Sequence, residues 1–158
     1  MNTLSVAREG DKISLLIDGV AIEALFDPVE FVLPIRQDKL THLYFFTCTC
    51  HCPGCAGWHL GFDVCYDAYR HVIRWECLDT DQLDVVNLSY FFDFESYVSA
   101  QQACKDMLYD IAGERELNPP ILALEDDEDY DYRVLTFDNA DQLTNEINHR
   151  IKWMEKYQ

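Results

Sequence analysis

The chain has 158 residues, 29 acidic and 12 basic, and the resulting net charge of -17 disfavours direct binding to nucleic acid or to an anionic membrane surface. Its 49% hydrophobic content, with 9 Phe, 9 Tyr and 3 Trp, excludes global disorder. No apolar run approaches the roughly 18 residues of a membrane span.

In chain order, the first half alternates like antiparallel sheet. Residues 4–8 form a short strand, Glu9-Gly10-Asp11 a turn, and residues 13–17 a second strand. Asp18-Gly19 is the two-residue hairpin signal before a strand over residues 20–26. Asp27-Pro28 and Leu33-Pro34 break the pattern, so residues 27–40 are expected as a connection. Residues 43–47 read as a buried strand running into a cysteine cluster. Residues 58–65 and 71–78 form a hairpin around Asp67-Ala68-Tyr69, and a further strand covers residues 85–92.

A helix is expected from Asp93, which serves as N-cap, with Tyr97, Ala100, Cys104, Met107, Leu108 and Ile111 on one apolar face. Gly113 lies near its end, and Pro119-Pro120 prevents continuation. An acidic loop at 118–132 follows, then a short strand over 133–137. A final helix starts near Asp138 or Asn139, with the stripe Leu143, Ile147, Ile151 and Met154. Strands first and helices later predict a single α+β domain over residues 1–158. Its mainly antiparallel sheet has about six to eight strands, and the two helices of its C-terminal half pack on one face.

Met1-Asn2-Thr3-Leu4-Ser5-Val6 lacks the basic start and apolar block of a secretory signal, so a cytoplasmic location is expected. The 7 cysteines are then reduced thiols or metal ligands rather than a disulfide framework. Four of them crowd into Cys48-Thr49-Cys50-His51-Cys52-Pro53-Gly54-Cys55. Cys52-Pro53-Gly54-Cys55 has zinc-knuckle spacing, because two thiolates three apart on a tight turn can face one tetrahedral ion. Cys50, Cys52, Cys55 and His59 are the expected zinc ligands, with Cys48 or His51 as alternatives, and Pro53, Gly54 and Gly57 allow the chain to fold back sharply. Two other readings stand beside this one: small reduced hydrophobes at a strand end, and a redox Cys-x-x-Cys. The redox reading lacks the helix that should follow the second cysteine, since Ala56-Gly57-Trp58-His59 looks like strand.

The acidic stretch Glu125, Asp126, Asp127, Glu128, Asp129, Tyr130, Asp131 and Tyr132 combines six carboxylates with two aromatic anchors. It is the expected partner-binding surface, a substitute for phosphates in a cationic cleft, and its bland alternative is a solvated loop. A calcium site on Asp127, Asp129 and Asp131 is disfavoured, because Tyr132 stands where an EF-hand loop needs glycine. A hydrolase would use His71 or His59 with Asp63, Asp67 or Glu76, but no nucleophile has a recognisable base partner, so no enzyme is expected. Trp58, Trp75 and Trp153 read as packing residues.

Gly54-Cys55-Ala56-Gly57, Trp75 and the residues 94–97 that open the first long helix resemble small bacterial immunity proteins. These accompany polymorphic toxins, including those of contact-dependent growth inhibition systems, and the resemblance covers about residues 43–112. It implies a cytoplasmic inhibitor that occludes a basic toxin domain, often a nuclease. The alternative is a small zinc-binding structural or adaptor domain built on the cysteine cluster.

Overall fold

The computed structural model describes residues 1–37, 39–118 and 137–158. The acidic residues Glu125 to Asp131, with Tyr130 and Tyr132, and residues 133–136 of the strand expected over 133–137 lie outside the described residues; Phe137, its last residue, is buried but not in a strand. Strand β1 (Leu4–Glu9) pairs antiparallel with β2 (Lys12–Ile17) around the Gly10 turn. Alternation in β2 turns Ile13, Leu15 and Ile17 inward. Asp18 and Gly19, at φ 54° and 78°, then return the chain into β3 (Val20–Ala21), as the hairpin signal predicts.

The strand expected over residues 20–26 is interrupted. Its far end, β4 (Leu25–Phe26), leaves β2 and pairs instead with β6 (Phe46–Thr47). The strand expected over 43–47 divides in the same way: β5 (Thr41–Leu43) belongs to a four-stranded sheet, and β6 belongs to β4. At the crossing, the Tyr44 N–H donates to Glu30 Oε1 at 3.1 Å and the Phe45 carbonyl accepts from Asp27 N–H at 2.8 Å. The first bond lies outside the sheet ladder, whereas the second continues the β4–β6 register by one residue pair. The connection expected over 27–40 contains a short helix, α1 (Pro28–Phe31), whose first turn is capped by the Asp27 carboxylate and starts at proline.

The larger sheet runs β5, β7 (Phe62–Asp67), β8 (Val72–Cys77), β9 (Ser89–Asp93), all antiparallel. Only the last part of the strand expected over 85–92 is extended. One residue satisfies a pair of outward main-chain groups at each outer edge, Gln158 through its side chain and Asn2 through its backbone N–H and its side chain. Gln158 exchanges two bonds with His42 on β5, 2.6 Å to its N–H and 2.7 Å to its carbonyl. Asn2 does the same for Phe91 on β9, through its own N–H at 2.7 Å and its side-chain oxygen at 2.9 Å.

Helix α2 (Phe94–Leu117) starts where Asp93 accepts the Ser96 N–H at 3.0 Å, and it runs four residues past Gly113. Helix α3 (Ala140–Tyr157) is capped by Asn139. Tyr97, Ala100, Cys104, Leu108 and Ile111 of α2 and Leu143, Ile147 and Met154 of α3 are buried, while Met107 and Ile151 are half-buried. The two helices pack on each other and on α1, and α2 also covers β1, β8 and β9. The observed class is the α+β expected, with nine strands among the described residues. Trp75 centres the core. Its ring stacks on Phe45 at 4.0 Å, meets Phe31, Phe92 and Tyr97 edge-on, and donates from Nε1 to the Tyr97 hydroxyl at 3.1 Å. No helix among the described residues is long and apolar enough to cross a membrane.

Candidate functional site

Strand β6 ends at Thr47, and the chain reverses at once. His51 takes φ 62° and closes a turn onto the Cys48 carbonyl at 3.0 Å. Pro53 then starts one turn of 3-10 helix, Pro53–Ala56, which ends on Gly57 at φ 88°. Glycine is needed there. A Cβ on Gly57 would stand 2.3 Å from the Gln82 amide nitrogen, the group that donates to the Ala56 carbonyl.

This path brings thiols together. The sulfurs of Cys48, Cys50 and Cys55 all lie within 4.8 Å of one another, and none of the 7 cysteines is in a disulfide. Cys50 and Cys55 are 3.7 Å apart. A tetrahedral zinc site with bonds near 2.3 Å has sulfur–sulfur edges of about 3.8 Å, so this pair already stands at ligand separation. Cys48 and Cys50 are closer, at 2.7 Å, and an ion would spread them. Hydrogen bonding splits the acidities of the group. The Cys50 thiol and the backbone N–H groups of Cys50 and Cys52 stabilise a Cys48 thiolate and bring its pKa down to about 7. Cys55 is pushed up to about 12 by its bonds to the thiols of Cys52, Cys50 and Cys48. Protons shared among crowded sulfurs are what a divalent cation displaces. The cluster could hold a metal ion through Cys48, Cys50 and Cys55.

Of the ligands expected from spacing, Cys50 and Cys55 enter this group and Cys48 joins them. Cys52 touches it through Cys55, and His59 lies outside it. The His59 imidazole sits across Gly54 from Cys52: a Cβ on Gly54 would be 3.5 Å from His59 Nδ1 and 4.0 Å from Cys52 Sγ. The segment that follows is anchored by a residue the spacing does not flag. The buried Asp79 carboxylate accepts the N–H groups of His59, Leu60 and Gly61 at 2.7–3.2 Å.

The far side of the cysteine turn faces a cavity of about 460 Å³. Pro53, Gly54, Trp58 and His59 form one wall, His42 and Tyr44 of β5 another, and His149, Arg150, Trp153, Met154 and Gln158 of α3 a third, with Glu30 and Leu33 beneath. Glu30 and Arg150 of this lining belong to a cluster in which three carboxylates share one guanidinium. Arg150 Nη1 donates to Asp27 at 2.8 Å and to Glu30 at 3.0 Å, and Nε donates to Glu146 at 2.9 Å. Burial and the Asp27 charge push the Glu30 carboxyl up to about 7, against the opposing pull of Arg150 and the Tyr44 N–H.

The histidine and carboxylate pairs considered for hydrolysis do not form. Asp63 binds His42 at 3.0 Å, Asp67 accepts the Arg70 N–H, and Glu76 faces Arg74. His71 lies in the hairpin turn at φ 55° beside Tyr66 and Phe94. Trp58 and Trp75 are buried as expected, whereas Trp153 is 50% exposed at the cavity. Local spacing carries little signal for Asp79, Glu30 or Arg150: apart from the Glu146–Arg150 pair four residues apart, their side-chain partners lie 14 to 123 residues away. Compared with known proteins, the chain matches no protein-family model, no curated protein and no solved structure.

Proposed function

We propose that the chain acts by binding rather than catalysis, neutralising a basic protein partner in the cytoplasm in the manner of an immunity protein against a toxin domain. The placement of negative charge supports this reading. Asp38 and residues 119–136 account for -6 of the -17, which leaves -11 on the described body. Asp106, Asp110 and Glu114 follow one another at four-residue intervals on the exposed side of α2. Like charges so spaced disfavour a helix by about 0.2–0.5 kcal/mol per pair, a cost offset in part by the Arg8–Glu114 ion pair and the bond from Gln102 to Asp106. In sequence, a further six carboxylates follow in Glu125, Asp126, Asp127, Glu128, Asp129 and Asp131. Such a field speeds encounter with a cationic surface.

Tagged protein should capture a near-stoichiometric basic partner from its source cells at low salt, and should lose it as salt rises. Neutralising Asp106, Asp110 and four carboxylates of residues 125–131 should slow association about tenfold and flatten its salt dependence. No stoichiometric partner at low salt, or an unchanged association rate, would overturn the reading.

The thiol geometry favours a second, compatible role, a structural zinc ion held by Cys48, Cys50 and Cys55 with Cys52 or His59 as fourth ligand. Protein purified under reducing conditions should contain about one zinc per chain, and a chelator should lower its melting temperature. Cys52→Ser and His59→Ala tell the fourth ligands apart. Metal-free protein with seven reactive thiols would end this reading.

A further inference from the structure

We propose that Cys48 and Cys50 form a thiol modification site, which a hydroperoxide oxidises to an intramolecular disulfide. The step needs no bound ion and no partner, so it stands apart from both readings above.

Geometry comes first. The Cys48 and Cys50 sulfurs lie 2.7 Å apart, against 3.7 Å between Cys50 and Cys55. The Cys50 N–H also donates to Cys48 Sγ at 3.3 Å, which holds that sulfur against its partner. A disulfide needs Cα atoms about 4.4–6.8 Å apart, a separation that residues two apart reach within a turn. Residues 48–51 form such a turn, closed by the His51 N–H on the Cys48 carbonyl at 3.0 Å.

Access comes second. Cys50 is exposed and Cys48 half-buried, whereas Cys77 and Cys104 are buried in the core. An oxidant in solution therefore meets the turn and not the core thiols. Exposed disulfides are the labile ones, so a low-molecular-weight thiol can return the pair to its reduced form.

The chemistry balances in two steps. The Cys50 sulfur attacks the terminal oxygen of the hydroperoxide, the O–O bond breaks, and the alcohol leaves with the thiol proton. Cys50 is then a sulfenic acid. The adjacent Cys48 sulfur attacks the Cys50 sulfur, the S–S bond forms, and the hydroxyl departs as water with the Cys48 proton. The two thiols lose two electrons and two protons in all, and the hydroperoxide gains them.

The probe is hydrogen peroxide, added in one equivalent to the full chain after reduction, chelator treatment and removal of reductant. Alkylation and tandem mass spectrometry should find Cys48 and Cys50 joined to each other, with Cys77 and Cys104 still alkylated as free thiols. Dithiothreitol should restore the pair. Cys50→Ser, at an exposed position where folding is not at stake, should slow disulfide formation within residues 48–55 at least about tenfold, because the closest sulfur is gone. Cys65→Ser should leave the rate unchanged. Free thiols at Cys48 and Cys50 after oxidation, a bond joining Cys52 to Cys55 or joining two chains in place of the Cys48–Cys50 bond, or a rate indifferent to Cys50→Ser would overturn the proposal.

Discussion

Arg150→Met should destabilise the protein by about 3–5 kcal/mol at pH 8, and by clearly less at pH 5. The side chain keeps much of its volume, so the change isolates charge. Without the guanidinium, Asp27, Glu30 and Glu146 lose the donor they share and are left as partly buried, mutually repelling carboxylates. Burial works against the Arg150 charge, yet Asp27 and Glu30 outweigh it and hold its pKa above the ordinary arginine value. The pH dependence follows from Glu30, whose folded pKa of about 7 lies above its ordinary 4.5. A raised carboxyl pKa means the fold binds that proton more tightly than the unfolded chain does. Its contribution to stability is therefore complete below pH 4.5 and lost as pH rises through 7, a change of at most about 3 kcal/mol. Removing Arg150 takes away a group that holds this pKa down, so the variant should depend on pH more steeply than the wild type. Urea denaturation at pH 5, 7 and 8 checks this, and a pH-independent difference would refute the account.

Asp79→Ala should cost about 3–4 kcal/mol and loosen the cysteine turn. Three backbone N–H groups, those of His59, Leu60 and Gly61, lose their acceptor together, at about 1 kcal/mol or more each. Asp79→Asn retains one acceptor oxygen and should recover part of the loss. Because residues 59–61 connect the cysteine turn to β7, amide exchange should accelerate there before it does in β8. Metal retention, where the reduced protein holds zinc, should fall with it. A loss below about 1 kcal/mol with unchanged exchange would mean that water replaces the carboxylate without strain.

Both long helices were legible because their signals are local. Asp93 caps the first, Asn139 caps the second, and the buried residues recur at the helical period. The β1–β2–β3 hairpins were legible for the same reason, through Gly10 and Asp18-Gly19. The pieces at 25–26 and 46–47 were not. Their apolar residues fit a continuous strand as well as a strand that changes sheets, and only the distant pairing of Leu25 with Thr47 decides. Asp27-Pro28 read as a breaker although the same two residues cap and start α1, since an aspartate before a proline serves both purposes. At the candidate site, spacing offered Cys50, Cys52, Cys55 and His59 with Cys48 as an alternative, and chain reversal at His51 decides for Cys48, Cys50 and Cys55 as the close group. Glu30, Asp79 and Arg150 stayed hidden, because what makes them matter is burial beside residues remote in sequence.

The two amides at the outer strands of the larger sheet restrict how any partner can engage it. An open edge offers a ladder onto which an extended peptide, or another copy of the same sheet, can be added as a further strand. Here Gln158 takes both outward groups of His42 in the three-residue β5, and Asn2 takes both of Phe91 at the centre of β9. At His42 and Phe91 the outward main-chain groups are thus taken by neutral, short-range contacts that salt does not screen, which disfavours strand addition there. Recognition is left to side chains, whose charges can be altered one at a time without disturbing a single hydrogen bond of the sheet.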